Sequence, residues 1–141
     1  PGSIDGILIS RVFHFFPGDR IRESLRKVAE WLRPGGKVFI VTDSVYRTIF
    51  KDLIPVYEKN VGKGLEWPGW TENVRKFIPT DRLNPETQPL AMNFLDPRLV
   101  RRELEIAGLE TETAAFFKYA AGPDFARLDG REIVGAAGVK V

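Results

Sequence analysis

Two short apolar runs on either side of one amphipathic stretch constrain the fold more than any other feature of this chain. Residues 4–9 and 37–42 are apolar runs with polar neighbours, which is typical of strands buried on both faces of a sheet. Between them, residues 20–32 carry apolar side chains at helical spacing. A strand, a helix and a strand joined by short turns predict a βαβ unit with parallel strands and a right-handed crossover.

The regular pattern returns near the C-terminus. Asp96 followed by Pro97 is typical of a helix start, and Gly108 indicates the end of that helix. Residues 109–117 favour a strand nearer the sheet edge, and residues 132–141 predict a last strand. The sequence therefore predicts an α/β protein with a mostly parallel open sheet and flanking helices.

Residues 45–95 interrupt this order. A helix is predicted over residues 45–57, but the glycines and prolines that follow prevent long regular structure. A segment of this length is too long to be an ordinary connection. We interpret it as a lid or substrate-recognition insertion that is more mobile than the sheet, or is ordered chiefly by contacts with another chain.

Composition excludes several classes of function. The 141 residues include no cysteine, which excludes disulfide, thiolate-metal and cysteine-nucleophile chemistry. A net charge of +2 without a long basic run argues against nucleic-acid binding. No apolar run reaches the roughly 20 residues of a membrane span. One histidine and scattered carboxylates predict no metal site, and we expect a cytoplasmic protein.

Three stretches together resemble the second half of the class I S-adenosylmethionine (SAM)-dependent methyltransferase fold. Residues 4–16 resemble the family's fourth strand and the segment after it. Residues 32–41 resemble the L-K/R-P-G-G turn before its fifth strand, and residues 99–108 resemble the L-x-x-A-G-F/L close of its last helix. The resemblance implies a parent enzyme that uses SAM as its cofactor and methylates a small-molecule acceptor.

The resemblance also implies that this chain is only the C-terminal portion of such a domain. The family's first strand, glycine-rich loop and acidic ribose partner should precede Asp5, and none is present. We therefore expect weak or no SAM binding by this chain. The missing N-terminal half is an expected partner, and the unpaired edge of the strand at residues 4–9 predicts self-association. The alternative is a non-catalytic binding or dimerisation module on the same scaffold.

The resemblance places four candidate site residues after the first two long strands. Ser10, Arg11 and His14 are expected near the methionine end of the cofactor, and Arg11 could pair with a carboxylate or be a solvated strand end. His14 is the candidate general base; alternatively it packs and hydrogen-bonds beneath the site. Asp43 could contact substrate or orient a base, or it could cap a helix.

Aromatic residues of the insertion are the candidate acceptor-binding groups. Tyr46, Trp67 and Trp70 could line an aromatic substrate pocket, together with Tyr57 and Phe77. The competing interpretation is a satellite core that holds the insertion together. We expect a mixture, in which most of these residues pack and some reach the pocket.

Overall fold

A computed structural model describes residues 1–81 and 84–141 of the chain. Its helices are α1 (Gly18–Trp31), α2 (Ile54–Gly62) and α3 (Pro97–Ile106). Its strands are β1 (Ile4–Ser10), β2 (Leu32–Asp43), β3 (Trp70–Thr71), β4 (Met92–Asn93), β5 (Glu110–Phe117) and β6 (Ile133–Val139).

The predicted βαβ unit is present. Strands β1 and β2 pair in parallel, and α1 connects them. Helix α1 buries Ile21, Leu25 and Val28, whose spacing places them on one face. Within β2, position 36 requires glycine, because a Cβ atom there would lie 2.8 Å from the carbonyl oxygen of Ile4.

The prediction of a mostly parallel sheet is wrong. The strand order is β1-β2-β6-β5, and β6 runs antiparallel to both of its neighbours. No α-helix lies in the connection between β5 and β6, so β6 turns back beside β5 as in a hairpin. Strand β6 thereby lies between β2 and β5, and only the β1–β2 pair is parallel.

The helix predicted over residues 45–57 is also displaced. The chain forms a short 3-10 helix at Thr48–Phe50, and α2 begins only at Ile54. Arg47 is in an extended conformation, with φ −133° and ψ 147°, because its guanidinium turns back onto Asp43. The apolar spacing continues through this break, so the pattern alone could not reveal it.

The insertion packs as a second hydrophobic core beside the main one. Its members are Val45, Tyr46, Ile49, Phe50, Leu53, Tyr57, Val74, Ile78, Met92 and Phe94. The short strands β3 and β4 pair antiparallel within it, and Gly69 packs directly against the backbone of Phe94. The expected boundaries and mobility of the insertion stay predictions, and positions 82 and 83 lie outside the described residues.

Helices α1 and α3 cover one face of the four-stranded sheet, and the opposite face carries uncovered apolar side chains. Leu8 is 67% exposed, Phe39 is 45% exposed and Phe117 is 51% exposed. Leu8 and Phe39 are directly paired across β1 and β2. Among the described strands, none pairs with the outer edge of β1. We call the surface formed by Leu8, Phe39 and Phe117 the open face.

Candidate functional site

A small pocket lies where β1 and β2 end. In open α/β sheets, ligands bind at the carboxyl ends of parallel strands. Arg11 directly follows β1, and Asp43 is the last residue of β2. Both line a cavity of about 250 Å³, together with His14 and Arg47. We call this cavity the Asp43 pocket.

The apolar wall of the Asp43 pocket comes from distant parts of the chain. It is formed by Phe15, Ile49, Phe50, Pro89, Met92 and Phe125. These residues belong to the segment after β1, to the insertion and to the loop between β5 and β6. The insertion therefore forms one side of the pocket.

Asp43 is the centre of the pocket's charged groups. It is 5% exposed, and its carboxylate accepts a hydrogen bond from Nη2 of Arg47 at 2.8 Å. Nη2 of Arg11 lies 3.1 Å from the nearer oxygen of the same carboxylate. The Asp43 side chain thus binds two guanidinium groups. It does not cap the 3-10 helix that follows, which begins after Arg47.

His14 is buried and lies against Asp43. Its Nδ1 lies 3.4 Å from the backbone nitrogen of Asp43, which donates to it, and 3.4 Å from Oγ1 of Thr42. Nδ1 is therefore an acceptor, and the ring proton lies on Nε2, which is 3.8 Å from Oδ2 of Asp43. Burial lowers the pKa of His14, while the Asp43 carboxylate opposes that shift and Arg11 and Arg47 add to it.

His14 faces β2 with both ring nitrogens, which lie against Thr42 and Asp43. The contacts favour the interpretation in which His14 hydrogen-bonds beneath the site. The general-base role stays a prediction.

Arg47 is the residue that sequence reasoning missed. It is only 5% exposed, and besides Asp43 it donates from Nε and Nη2 to the backbone carbonyl of Glu132, at 3.3 Å in each case. Burial lowers the pKa of Arg47, Asp43 opposes that shift, and the nearby charge of Arg11 adds to it. The one available signal was a single charged residue inside the largely apolar run from Val45 to Phe50.

Tyr119 joins the two arginines from the other side. The guanidinium carbons of Arg11 and Arg47 each lie 5.2 Å from the centre of its ring. The loop that carries Tyr119 is fixed by the buried carboxylate of Glu132, which accepts from the backbone nitrogens of Tyr119 at 3.0 Å and Asp129 at 3.1 Å. The aromatic ring and the Asp43 carboxylate together hold the two cations near each other.

The structure brings only some of the predicted aromatic residues together: Tyr46 packs edge-on against Tyr57, with ring centres 6.1 Å apart, while Trp67 lies apart from them. Tyr46 packs under the guanidinium of Arg131, whose central carbon is 3.7 Å from the ring centre. Trp67 packs against Gly18 and lies near the guanidinium groups of Arg22 and Arg102. Both positions fit the satellite-core interpretation better than a shared substrate pocket.

Trp70 lies in a separate cavity of about 330 Å³ within the insertion, which Tyr57 and Phe77 also line. It is 37% exposed and does not line the Asp43 pocket. Of the four predicted substrate-binding residues, Asp43 is therefore the one that lines the Asp43 pocket. Acceptor contacts by Tyr46, Trp67 and Trp70 stay predictions.

The residues expected to contact the methionine end of SAM differ in accessibility, and their contacts with the cofactor stay predictions. Ser10 is exposed at the end of β1, and the Arg11 side chain is 39% exposed, so both are accessible to a ligand. The backbone of Arg11 has a φ of 60°, which turns the chain sharply after the strand. His14 is 3% exposed and would contribute only from beneath.

The described residues offer neither a metal site nor a membrane-spanning helix. In residues 1–81 and 84–141, no group of three histidine, cysteine, aspartate or glutamate side chains is placed to hold a metal ion. Over the same ranges, no helix is both long enough and apolar enough to cross a membrane.

Solved structures of methyltransferases resemble the chain over nearly its whole length. A SAM-dependent methyltransferase of Methanosarcina mazei matches 99% of this chain and 60% of its own, with a TM-score of 0.62 and 12% identity. A SAM-dependent methyltransferase of Mesorhizobium loti matches 99% of this chain and 63% of its own, with a TM-score of 0.60 and 17% identity.

A third match comes from a complex of the Haloferax volcanii Trm112 methyltransferase activator with a methyltransferase. It covers 98% of this chain and 54% of the other, with a TM-score of 0.56 and 16% identity. No family model and no curated protein matches the sequence. The chain spans about 54% to 63% of the length of these three solved proteins. The chain therefore has the fold of one part of a SAM-dependent methyltransferase, as its motifs predicted.

Proposed function

We propose that the chain is the C-terminal portion of a SAM-dependent methyltransferase whose full-length parent methylates a small molecule. The observation that carries this proposal is the match of almost the whole chain to part of solved methyltransferases. The position of the Asp43 pocket supports it, because the pocket lies at the sheet edge where such folds bind ligands.

The chain's residues would act mainly by positioning. When bound, SAM supplies a methyl group on a sulfonium, and transfer of that group requires an aligned nucleophile more than an acid or base. Ser10 and the backbone of Arg11 would approach the methionine end of the cofactor, which leaves the Arg11 side chain to the acceptor. The Asp43 pocket would hold the acceptor, with Arg47 and His14 fixing the Asp43 carboxylate between them.

The partner of this chain would be the missing half of its own domain. The open face carries side chains that are suited to burial, and the outer edge of β1 offers unpaired backbone groups. We propose that the N-terminal half of the parent supplies a strand beside β1 and helices over Leu8 and Phe39. Without that half, a second copy of the chain would cover the same surface.

A test of the proposed function uses the parent protein with the natural sequence that precedes Pro1. Incubation with SAM and a library of small hydroxylated or amine-bearing molecules should release S-adenosylhomocysteine with at least one of them. If the parent binds SAM but releases no product with any acceptor, the enzymatic proposal loses its support. If the parent does not bind SAM at all, the non-catalytic dimerisation module becomes the better account of the open face.

A further inference from the structure

We propose that the Asp43 pocket recognises a carboxylate on the methyl acceptor, with Arg11 as the group that receives it. This inference names the acceptor class and rests on the methyltransferase function proposed above. It begins from the charges that line the pocket. Two of them, Arg11 and Arg47, are positive, and one, Asp43, is negative. His14 adds no charge near neutral pH, because burial lowers its pKa.

The surplus positive charge belongs to Arg11. Arg47 is buried and directs its donors to Asp43 and to the backbone of Glu132. Among the described residues, the guanidinium of Arg11 contacts a hydrogen-bond partner only through Nη2, and the side chain is 39% exposed. A guanidinium has further N–H donors in a fork that matches a carboxylate. Arg11 therefore has donors available on its exposed side.

The arrangement also favours an incoming anion on electrostatic grounds. Asp43 and Tyr119 hold two guanidinium groups close together, although like charges repel. The nearby charge of Glu132 offsets part of this repulsion at Arg47, but its carboxylate is directed to the backbone nitrogens of Tyr119 and Asp129 and does not line the pocket. A carboxylate bound to Arg11 would relieve this repulsion.

The rest of the pocket defines the body of the ligand. Phe15, Phe50, Met92 and Phe125 form an apolar, largely aromatic wall. The volume of about 250 Å³ is below the roughly 300–1,000 Å³ that is usual for ligand pockets. A small apolar or aromatic acid fits this chemistry, whereas a nucleotide or peptide would be too large.

A carboxylate at Arg11 could come from two sources, the acceptor or the methionine end of SAM. We assign this carboxylate to the acceptor. Most of the apolar wall comes from the insertion and the β5–β6 loop, and such a wall suits a ligand whose remaining atoms are apolar. Two pairs of probes separate the sources. Benzoate and benzamide differ only at the acid group of an aromatic body, and S-adenosylhomocysteine and 5′-methylthioadenosine differ by the aminocarboxylate.

The experiment measures the affinity of these probes for the parent protein, which includes the natural sequence that precedes Pro1, and for three of its variants, by NMR titration without methyl transfer. Arg11→Met removes the charge and keeps an unbranched side chain, and Arg11→Lys restores the charge. Arg101→Met, at an exposed arginine of α3, is the matched control. Benzoate should bind at least about tenfold more tightly than benzamide. That preference should disappear in Arg11→Met, return in part in Arg11→Lys and persist in Arg101→Met.

Three outcomes would overturn the proposal. Benzoate binding that is absent or no tighter than that of benzamide would show that the pocket does not select an acid. A benzoate preference that survives Arg11→Met would show that Arg11 does not receive it. Loss of S-adenosylhomocysteine affinity in Arg11→Met, with benzoate unaffected, would assign Arg11 to the cofactor. Because no arm requires turnover, benzoate recognition by a parent protein that fails the methyl-transfer test would leave the carboxylate site at Arg11 standing and refute the proposed function alone.

Discussion

The Nη2 atom of Arg47 donates to the carboxylate of Asp43 across 2.8 Å, and both side chains are almost fully buried. Removing one partner of such a pair leaves an uncompensated charge, which costs about 3–5 kcal/mol of stability. We therefore expect Arg47→Met to lower the free energy of unfolding by an amount in that range, measured by urea denaturation.

Arg11→Met is the matched control for this prediction. Its side chain is 39% exposed and contacts the same carboxylate, so its loss should cost no more than about 1 kcal/mol. Equal losses of unfolding free energy in the two variants would contradict this account, in which Arg47 stabilises the buried Asp43 and Arg11 is available to a ligand.

His14 should make stability depend on pH below its ordinary pKa of 6.5. Burial lowers the pKa in the folded chain, so the unfolded chain binds the proton more readily. The stability that neutral His14 contributes is complete above 6.5 and is lost as the pH falls from there through the folded-state pKa. His14 is the only histidine, so His14→Asn should flatten this part of the stability profile. An unchanged profile in the variant would contradict the assignment.

Leu8 should control association of the chain with itself. Leaving apolar surface in water costs about 25 cal/mol per Å², and Leu8 is 67% exposed on the open face. Sedimentation across a concentration series should show association of the unmodified chain and weaker association of Leu8→Lys. Leu65→Lys, at a leucine 46% exposed outside the sheet, is the control and should associate like the unmodified chain. A monomer at every concentration would refute this prediction.

Gly18 should be essential for docking the insertion onto α1. A Cβ atom at this position would lie 1.9 Å from the ring of Trp67, so the ring would have to move. We expect Gly18→Ala to lower the free energy of unfolding by about 1–3 kcal/mol. Gly62→Ala is the control, since a Cβ atom there would meet nothing within 4 Å. Thermal unfolding of both variants tests this, and equal stability would show that Trp67 is free to adjust.

The sequence predicted the parts of the fold that depend on local patterns. The apolar periods of β1, α1 and β2 and the start of α3 at Asp96 were all readable. The direction of β6 was not, because an apolar strand has the same pattern in parallel and antiparallel pairing. The position of β6 between β2 and β5 depends on tertiary packing, which no local sequence pattern reveals.

The candidate site was predictable to a similar extent. Arg11, His14 and Asp43 meet in one pocket, as expected of residues that follow parallel strands. Arg47 escaped prediction because its role depends on an extended backbone at that residue and on a carbonyl of the distant Glu132. Among the aromatic residues of the insertion, Tyr46, Tyr57 and Phe77 pack in the second core and Trp67 packs against the main core, a division that spacing along the chain cannot determine.

If this chain is one part of a SAM-binding domain, its affinity for the cofactor should depend on the upstream part of that domain. The most direct measurement is calorimetric titration of S-adenosylhomocysteine into this chain and into the same chain extended by its natural upstream sequence. We predict weak or absent binding by the chain alone and micromolar binding by the extended protein. Low-micromolar binding by the chain alone, or no binding by either protein, would contradict the account.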